Sequence, residues 1–389
     1  MRFLHTSDWH LGRTLHGVDL IDAQRAVLGQ LRELVADPPD GPPIDAVIVA
    51  GDIYDRAVPP IEAVSLFADT LTALTAHTQV ILTAGNHDSA IRLGFGSKLF
   101  TDRLRVHTDL AGIGEPVLLG QADGGAVAVY PLPYLDPDVA RTVLSDSDEP
   151  LHRSHQAVMT AALDRVRADL ATRPGTRSVV VAHAFVVGGA PSESERSIAV
   201  GGIDCVAADT FHGIDYVALG HLHGAQQPRS GTDTVLAYSG SPLRYSFSEL
   251  GHTKSVTLVD LAADGQVELR TIELRQPREM AELTGTLAEL LASPGHTEDW
   301  VKLTITDRVR PEQLFDRVRA RFPQALQVLH LPAGSVPAGS VAGTAAAERD
   351  PRELGGDFIS HVTGTSASDV ELALFELAYQ AALAEAGGG

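Results

Sequence analysis

The segment AVIVAGDIYD (46–55) is an apolar run that ends abruptly in a polar cluster containing two aspartates. The same pattern occurs four more times within residues 1–275, with polar clusters rich in Asp, His or Asn: RFLHTSDWH (2–10), QVILTAGNHD (79–88), SVVVAHAF (178–185) and YVALGHLH (216–223). Short apolar runs bounded by glycine or turn residues are typical of fully buried strands. The sequence therefore predicts five buried strands, each followed at once by polar side chains.

Helical patterns separate several of these predicted strands. One covers about 22–35, and another follows Pro59-Pro60 to about residue 74. Strands that alternate with helices predict a layered α/β fold. Ligands of such sheets bind at the carboxyl ends of the strands, which is where all five polar clusters fall. Three later apolar runs predict a second sheet of antiparallel strands: 235–241, 255–261 and 267–274.

The composition is that of a soluble globular protein with more than one domain. A length of 389 residues exceeds the roughly 250–300 residues that one hydrophobic core usually serves. No stretch approaches the roughly 18 consecutive apolar residues of a membrane span, and Asp8 and His10 interrupt the place of a secretory signal. The single cysteine, Cys205, excludes an internal disulfide framework and a cysteine-based zinc site. We expect a cytoplasmic protein without a membrane partner.

The net charge of −20 lowers the expectation of DNA binding, because a DNA-binding domain usually carries a basic footprint. The acidic excess is uneven, however, since residues 276–342 hold seven basic and eight acidic side chains. Five arginines lie in this region, at positions 308, 310, 317, 319 and 321. They could contact phosphates, for which arginine is well suited, or form a solvated face paired with Glu312 and Asp316. The sequence leaves both interpretations open.

The sequence pattern changes near residue 275. A helix over 277–291, a strand over 300–305, a helix over 311–322 and a strand over 326–331 predict a small α+β unit. Residues 332–349 repeat PAGSV twice and predict a flexible linker. Two amphipathic helices are predicted beyond it, over 350–362 and 366–384, the second with Val370, Leu374 and Leu377 on one stripe.

The polar clusters combine residue types that bind metal ions. They contain four histidines, two aspartates and one asparagine: His10, His183, His221, His223, Asp8, Asp52 and Asn86. Imidazole suits first-row transition metals, whereas carboxylate and amide oxygens suit harder ions, so the mixed set fits two ions of the Mn²⁺ or Fe²⁺ kind. Two ions about 3.5–4 Å apart can activate water and clamp a phosphate during in-line displacement. One carboxylate must bridge such a pair, and Asp52 is the natural candidate.

Each cluster also has an ordinary structural explanation. An isolated Asp-x-His is more often a turn than a metal site, and Gly-Asp at a strand end usually makes a turn. Polar groups directly after a buried strand need a reason, however, because leaving them unpaired is costly. Five such clusters, each at a strand end, are not expected by chance. The nearby His5, His16 and His212 are interpreted as structural or solvated.

The motif order resembles the calcineurin-like metallophosphoesterase superfamily, whose motifs are DxH, GDxxD, GNHD/E, an isolated His and GHxH. Five stretches are more narrowly similar to its DNA double-strand-break repair nucleases: TSDWHLG (6–12), GDIYDR (51–56), AGNHDS (84–89), ALGHLH (218–223) and SGSPLRYSFSE (239–249). The resemblance implies a layered α/β metallophosphoesterase β-sandwich flanked by helices. It further implies four segments: a nuclease domain (1–275), an α+β capping domain (276–331), a flexible linker (332–349) and a helical partner-binding segment (350–389).

The resemblance also implies the role of each site residue. It assigns two ligand sets that share Asp52: Asp8, His10, Asp52 and His223 for one ion, and Asp52, Asn86, His183 and His221 for the other. His87 would stay off the metals and act on the scissile phosphate or the leaving oxygen. Asp55 matches the aspartate that orients this histidine, while Asp88 is either a second orienting partner or only closes the turn.

The implied function is that of an ATP-regulated DNA nuclease that works with a coiled-coil ATPase in repair and recombination. It would act as an exonuclease on duplex ends and as an endonuclease on hairpins or single strands, with two Mn²⁺ or Fe²⁺ ions, as a homodimer within a heterotetramer. Two other functions stay open: a small-molecule phosphodiesterase or phosphatase of the same superfamily, and a non-catalytic DNA-tethering scaffold. The C-terminal third counts against the first, and the intact ligand set counts against the second.

Overall fold

The computed structural model describes residues 1–39, 41–120, 125–195, 205–332, 355–356, 359 and 368–386. Its strands are β1 (Arg2–Thr6), β2 (Thr14–Leu15), β3 (Val18–Asp19), β4 (Ala46–Ala50), β5 (Gln79–Thr83), β6 (Leu104–His107), β7 (Val117–Leu119), β8 (Val127–Pro131), β9 (Arg177–His183), β10 (Phe185–Val186), β11 (Cys205–Val206), β12 (Tyr216–Gly220), β13 (Val235–Tyr238), β14 (Ser255–Leu261), β15 (Val267–Glu273), β16 (Met280–Gly285), β17 (Trp300–Ile305) and β18 (Ala325–His330). Its α-helices are α1 (Ile21–Ala36), α2 (Ile61–His77), α3 (Ala90–Leu93), α4 (Pro137–Val143), α5 (His155–Leu170), α6 (Leu287–Ala292), α7 (Leu314–Arg321) and α8 (Asp369–Ala386).

Two sheets form the centre of the fold. The first has the order β15-β14-β1-β4-β5-β6, and the second has the order β13-β12-β9-β8-β7. The inner strands of each sheet are parallel, so their carboxyl ends lie at a common edge. The five apolar runs predicted as buried strands are β1, β4, β5, β9 and β12.

Three layers of buried side chains hold the sheets and helices together. One layer lies between the two sheets and includes Phe3 and Ile48 from the first sheet and Val181 and Tyr216 from the second. The outer face of the first sheet packs against α1 and α2, and that of the second packs against α5. This layered β-sandwich flanked by helices confirms the predicted fold class.

Local sequence explains where the flanking helices begin and which face they bury. The hydroxyl of Ser154 accepts a hydrogen bond from the Ala157 N–H at 3.2 Å and caps the start of α5. Helix α2 begins directly after Pro60, because proline is tolerated at a helix start but not inside a helix. In α1, Val27, Leu31 and Val35 recur every four residues and are buried, as a helix packed on a sheet requires.

The prediction of a second, antiparallel sheet from the later apolar runs was wrong. Strand β13 pairs in parallel with β12 in the second sheet. Strands β14 and β15 instead extend the first sheet, where β14 pairs antiparallel with β1 through partners such as Leu4 and Leu258. The physical reason is that an apolar run fixes the burial of a strand but not its neighbour.

The region after residue 275 begins with a strand, so the helix predicted over 277–291 was wrong. Strand β16 occupies Met280–Gly285, and the helix α6 covers only Leu287–Ala292. Burial alternates along β16, which pairs in a three-stranded sheet of order β16-β17-β18. Pairing with β17 therefore decides the local structure over the helical pattern of leucines. The other predicted elements of this region match β17, α7 and β18 within about three residues.

The chain divides into two compact units. The first comprises Met1–Thr284, Ala288–Thr304 and Gln313–Leu329, and it contains every residue of the candidate site. The second comprises Gly285–Leu287, Ile305–Glu312 and His330–Gly389. The four predicted domain boundaries stay a prediction.

Most of the predicted C-terminal features lie outside the described residues, including nearly all of the linker 332–349 and of the helix 350–362. The second predicted helix corresponds to α8, on which Val370 and Leu374 are 70% and 65% exposed. Across the part of the chain that the structure describes, the search for a helix able to cross a lipid bilayer finds no candidate.

Candidate metal centre

The candidate site is built from loops that follow five parallel strands. Asp8 and His10 follow β1, Asp52 follows β4, and Asn86 follows β5. His183 ends β9, and His221 and His223 follow β12. Gly220 at the end of β12 pairs with His183, so both groups emerge at the same edge of the second sheet. All the histidines and aspartates of this set are at most 5% exposed. The fold thus brings all seven predicted metal ligands together.

Four of these residues have a backbone conformation that side chains other than glycine rarely adopt. Their φ angles are positive: 54° at Asp8, 43° at His10, 51° at Asp52 and 104° at His221. Such a conformation costs on the order of 1–3 kcal/mol and persists only where the surroundings hold it. Here the Asp8 N–H donates to the Gly51 carbonyl at 3.1 Å, and the His10 N–H donates to the Asp52 carbonyl at 3.0 Å. These bonds fasten the first two loops to each other and aim their side chains into the site.

Two glycines let the loops approach closely. A Cβ atom on Gly85 would lie 2.1 Å from Oδ1 of Asp52, and one on Gly220 would lie 1.8 Å from the carbonyl oxygen of Ala50. Both distances are too short for any other residue. The glycines of the GNHD and GHLH motifs are therefore required by the contact between the strand ends.

A first group of possible ligands consists of Asp8, His10 and His223, whose ligand atoms all lie within 4.8 Å of one another. The Nε2 atoms of the two histidines are only 3.0 Å apart. Burial raises the pKa of Asp8 to about 6, although His183 and His223 oppose the rise. A cation between these atoms would offset the burial of the carboxylate and of both ring nitrogens.

A second group consists of Asn86, His183 and His221. The side-chain oxygen of Asn86 lies 2.9 Å from Nε2 of His183 and 3.4 Å from Nδ1 of His221. The other ring nitrogen of His183 donates to the Ala50 carbonyl at 2.9 Å, which turns Nε2 towards the site. Burial lowers the pKa of His221 to about 3, so this ring is neutral near pH 7 and can ligate a metal.

Asp52 lies between the two groups. Its Oδ1 atom accepts a hydrogen bond from the His87 N–H at 2.9 Å. Its Oδ2 atom is 3.6 Å from Nε2 of His10 and 3.5 Å from Nε2 of His183. One oxygen therefore faces a nitrogen of each group, which is the arrangement that a bridging carboxylate needs.

The charges around Asp52 favour a bound cation. Burial alone would raise the pKa of Asp52, but His183 and His10 hold it well below its ordinary value. Burial likewise acts to lower the pKa of His183, yet the Asp52 and Asp8 carboxylates raise it to about 9. The site thus attracts positive charge, and its imidazole, carboxylate and amide donors fit a divalent transition metal.

His87 is held in place by Asp55, although not through the carboxylate that was predicted to orient it. Nδ1 of His87 donates to the main-chain carbonyl of Asp55 at 2.7 Å. The Asp55 carboxylate instead lies 3.9 Å from Nδ1 of His10 and 3.7 Å from Nη1 of Arg13. Nε2 of His87 lies 3.9 Å from Oδ2 of Asp52, next to the possible ligand groups.

Asp88 closes the turn that carries His87. Its carboxylate accepts hydrogen bonds from the N–H groups of Gly85, Ile53 and Tyr54 at 2.9, 3.0 and 2.9 Å. Burial and the nearby Asp52 raise the pKa of Asp88 to about 7. Of the two alternatives left open for Asp88, the contacts favour the turn.

Sequence reasoning missed the polar side chains that hold His223. Oγ of Ser194 lies 2.6 Å from Nδ1 of His223, and Oε1 of Glu249 lies 3.2 Å from the same nitrogen. Glu249 ends the SGSPLRYSFSE stretch, which pointed to a family but not to a contact. The available signal was an acidic residue at the end of a family motif.

Comparison with known proteins agrees with this geometry. The sequence profile of the calcineurin-like phosphoesterases matches residues 1–225, which is more than half of the chain. The chain belongs to the calcineurin-like phosphoesterase family. A second profile, described as Type 5 capsule protein repressor C-terminal domain, matches residues 276–363. Membership of this family implies divalent metal ions, which the donor set above fits.

Two curated relatives of this calcineurin-like phosphoesterase are both named as the SbcD component of the nuclease SbcCD. The protein from Bacillus subtilis is 40% identical over 266 residues, which cover 67% of this chain and 66% of that protein. The protein from Staphylococcus epidermidis is 29% identical over 295 residues, covering 75% and 74%. The matched part thus spans about two thirds of the Bacillus relative. A solved structure from Streptococcus pneumoniae, a conserved uncharacterized protein, aligns at 12% identity with a TM-score of 0.25, covering 70% of this chain and 98% of that one, too low a score to inform the fold.

Proposed function

We propose that this phosphoesterase is a metal-dependent DNA nuclease that hydrolyses phosphodiester bonds at a two-ion site. The single observation that carries the proposal is the position of Asp52, whose Oδ2 atom lies 3.6 Å from His10 and 3.5 Å from His183. A shared carboxylate is the feature that a two-metal phosphoesterase requires. The relatives named for the nuclease SbcCD supply the substrate class.

The ligands divide between the two ions as the geometry groups them. One ion takes Asp8, His10, Asp52 and His223, and the other takes Asp52, Asn86, His183 and His221. When bound, a pair of divalent ions supplies water activation and neutralises charge on the phosphate oxygens. Mn²⁺ is the preferred ion because the set mixes nitrogen and oxygen donors, and Fe²⁺ is the alternative.

His87 supplies the proton chemistry of the proposed reaction. Its Nδ1–H is committed to the Asp55 carbonyl, so Nε2 is the atom available to a substrate. From beside Asp52, Nε2 can hold a proton for the departing oxygen or bind the scissile phosphate. Asp55 contributes through its main chain, as a positioning residue.

The substrate is DNA recognised by its ends and shape. The site residues described above address the phosphate and not the bases, so cleavage is independent of sequence. We propose exonuclease activity on duplex ends and endonuclease activity on hairpins or single strands, in DNA repair and recombination. The proposed chromosomal substrate agrees with the expected cytoplasmic location.

Two protein partners belong to the proposal. The name of the relatives refers to the SbcCD complex, so we propose an SbcC-type coiled-coil ATPase as partner. The exposed Val370 and Leu374 of α8 supply an apolar surface for it. A second exposed apolar surface at Ile91, Phe95 and Leu99, each at least 85% exposed, is proposed for a homodimer within a heterotetramer.

A paired assay tests this function. Purified chain is incubated with Mn²⁺ and either a DNA hairpin or bis(p-nitrophenyl) phosphate, with and without the ATPase and ATP, and Asp52→Asn is the inactive control. We expect Mn²⁺-dependent hairpin cleavage that Asp52→Asn lacks, and ATP dependence on blocked duplex ends only with the partner. Hydrolysis of the dye without DNA cleavage under any condition would instead identify a small-molecule phosphodiesterase. Loss of both activities in the metal-loaded complex would indicate a scaffold.

A further inference from the structure

His223 is held at each of its polar atoms except Nε2. Its main-chain N–H donates to Oε1 of Glu195 at 2.8 Å, and its carbonyl accepts from Nζ of Lys254 at 2.9 Å. Its Nδ1 atom lies 2.6 Å from Oγ of Ser194 and 3.2 Å from Oε1 of Glu249. The remaining atom, Nε2, faces His10 in the first ligand group.

The carboxylate at this nitrogen belongs to a buried ion pair. Glu249 is fully buried, Lys254 is 2% exposed, and Oε2 of Glu249 lies 2.5 Å from Nζ of Lys254. The hydroxyl of Ser194 also donates to Oε1 of Glu249. A buried ion pair is poor evidence of stabilisation, because removing two charges from water costs about as much as their attraction returns. Its location against His223 therefore points to a role in the site.

The histidines of the site differ in this respect. Nδ1 of His183 donates to a neutral group, the main-chain carbonyl of Ala50. Nδ1 of His10 lies 3.9 Å from the Asp55 carboxylate, beyond hydrogen-bond distance. Nδ1 of His223 lies within hydrogen-bond distance of a carboxylate whose charge is balanced by a lysine. The two proposed ions are thus supported by unlike surroundings.

We propose that Glu249, with its charge balanced by Lys254, is a positioning residue that holds the Nδ1–H of His223 and directs Nε2 to the first ion. This inference rests on the proposed two-ion function. A carboxylate behind a metal-bound histidine fixes its tautomer and raises its basicity, and losing such a partner costs about 10–100-fold in metal affinity. Because the second ion is held by other residues, the effect falls on one ion of the pair.

The test follows Mn²⁺ binding to the metal-free full-length chain by isothermal titration calorimetry and electron paramagnetic resonance. Wild type, Glu249→Gln and Glu279→Gln are compared. Glu279 pairs with Arg244 at 2.9 Å but contacts none of the proposed ligands, so it is a matched control. In Glu249→Gln we expect one of the two affinities to fall by about 10–100-fold while the other is unchanged. At a Mn²⁺ concentration that fills both sites of wild type, this variant should give the spectrum of an isolated ion and not of a coupled pair. Glu279→Gln should match wild type.

Two unchanged affinities and a coupled spectrum in folded Glu249→Gln would overturn the inference. If circular dichroism shows that this variant does not fold, Glu249→Gln combined with Lys254→Met removes both buried charges and carries the same expectation. Wild type that binds fewer than two Mn²⁺ would contradict the two-ion function itself, and the inference with it.

Discussion

The main-chain carbonyl of Asp55 accepts a hydrogen bond from Nδ1 of His87 across 2.7 Å. Because a carbonyl only accepts, Nδ1 must carry a proton, and Nε2 is left to face the candidate metal centre. There it lies 3.9 Å from Oδ2 of Asp52. The contact therefore fixes the ring orientation that a proton donor at this position needs.

Replacing His87 with alanine should leave two Mn²⁺ ions bound and lower the turnover of a DNA substrate by about 10²–10⁴, the usual effect of a positioned acid–base group. Metal content by mass spectrometry and turnover on a DNA hairpin check this. If metal content falls together with activity, His87 is a ligand and its proposed role is wrong.

Asp55→Asn is the control for this variant. It keeps the main-chain carbonyl that holds His87, so turnover should stay within about tenfold of wild type. A loss as large as that of His87→Ala would show that the Asp55 carboxylate, not its carbonyl, orients the ring.

Asp52→Asn should abolish or greatly weaken the binding of both ions, since a single oxygen of Asp52 faces both ligand groups. Calorimetric titration with Mn²⁺ measures the stoichiometry. Asp260→Asn, which alters an ion pair with Arg2 on the far edge of the first sheet, serves as the control and should bind two ions. Normal stoichiometry in Asp52→Asn would remove the bridging role.

His5 should make the stability of the metal-free protein depend on pH. Burial lowers the pKa of His5 to about 3, while Nδ1 of this ring hydrogen-bonds the Tyr216 hydroxyl at 2.8 Å. Below about pH 6.5 the unfolded chain takes up a proton at His5 that the folded chain refuses, so stability falls as the pH falls. Between pH 7 and 5 wild type should lose about 2 kcal/mol more free energy of unfolding than His5→Gln. Urea titrations with EDTA at the two pH values measure this difference, and equal losses would show that His5 is not buried as described.

The apolar side chains of α8 should be needed for the partner and not for catalysis. Val370 and Leu374 are 70% and 65% exposed and lie one helical turn apart. Changing both to aspartate should abolish co-purification with the coiled-coil ATPase and leave Mn²⁺-dependent cleavage of single-stranded DNA unchanged. Removal of residues 343–389 should do the same. Full-strength partner binding by either variant would move the interface elsewhere.

The sequence predicts the ligand set well because the signal is local. Each of the five strands is an apolar run interrupted by Asp, His or Asn, and parallel strands must end at a shared edge. The grouping of those residues into two metal sites came from the family resemblance, and it stays a proposal that agrees with the observed distances.

The contacts missed from the sequence depend on which distant segments meet. Glu249 lies 26 residues after His223, and nothing in the intervening sequence indicates that their side chains touch. The pairing of β14 with β1 joins Leu4 to Leu258, a contact that an apolar run cannot specify. The strand over Met280–Gly285 likewise depends on its neighbour β17, which overrides a helical spacing of leucines.

Anomalous diffraction from a Mn²⁺-soaked crystal tests the central claim most directly. The account predicts two anomalous peaks about 3.5–4 Å apart, both contacted by Asp52. The first peak should also contact Asp8, His10 and His223, and the second should contact Asn86, His183 and His221. A single peak, or two peaks that do not share Asp52, would contradict the two-ion nuclease site.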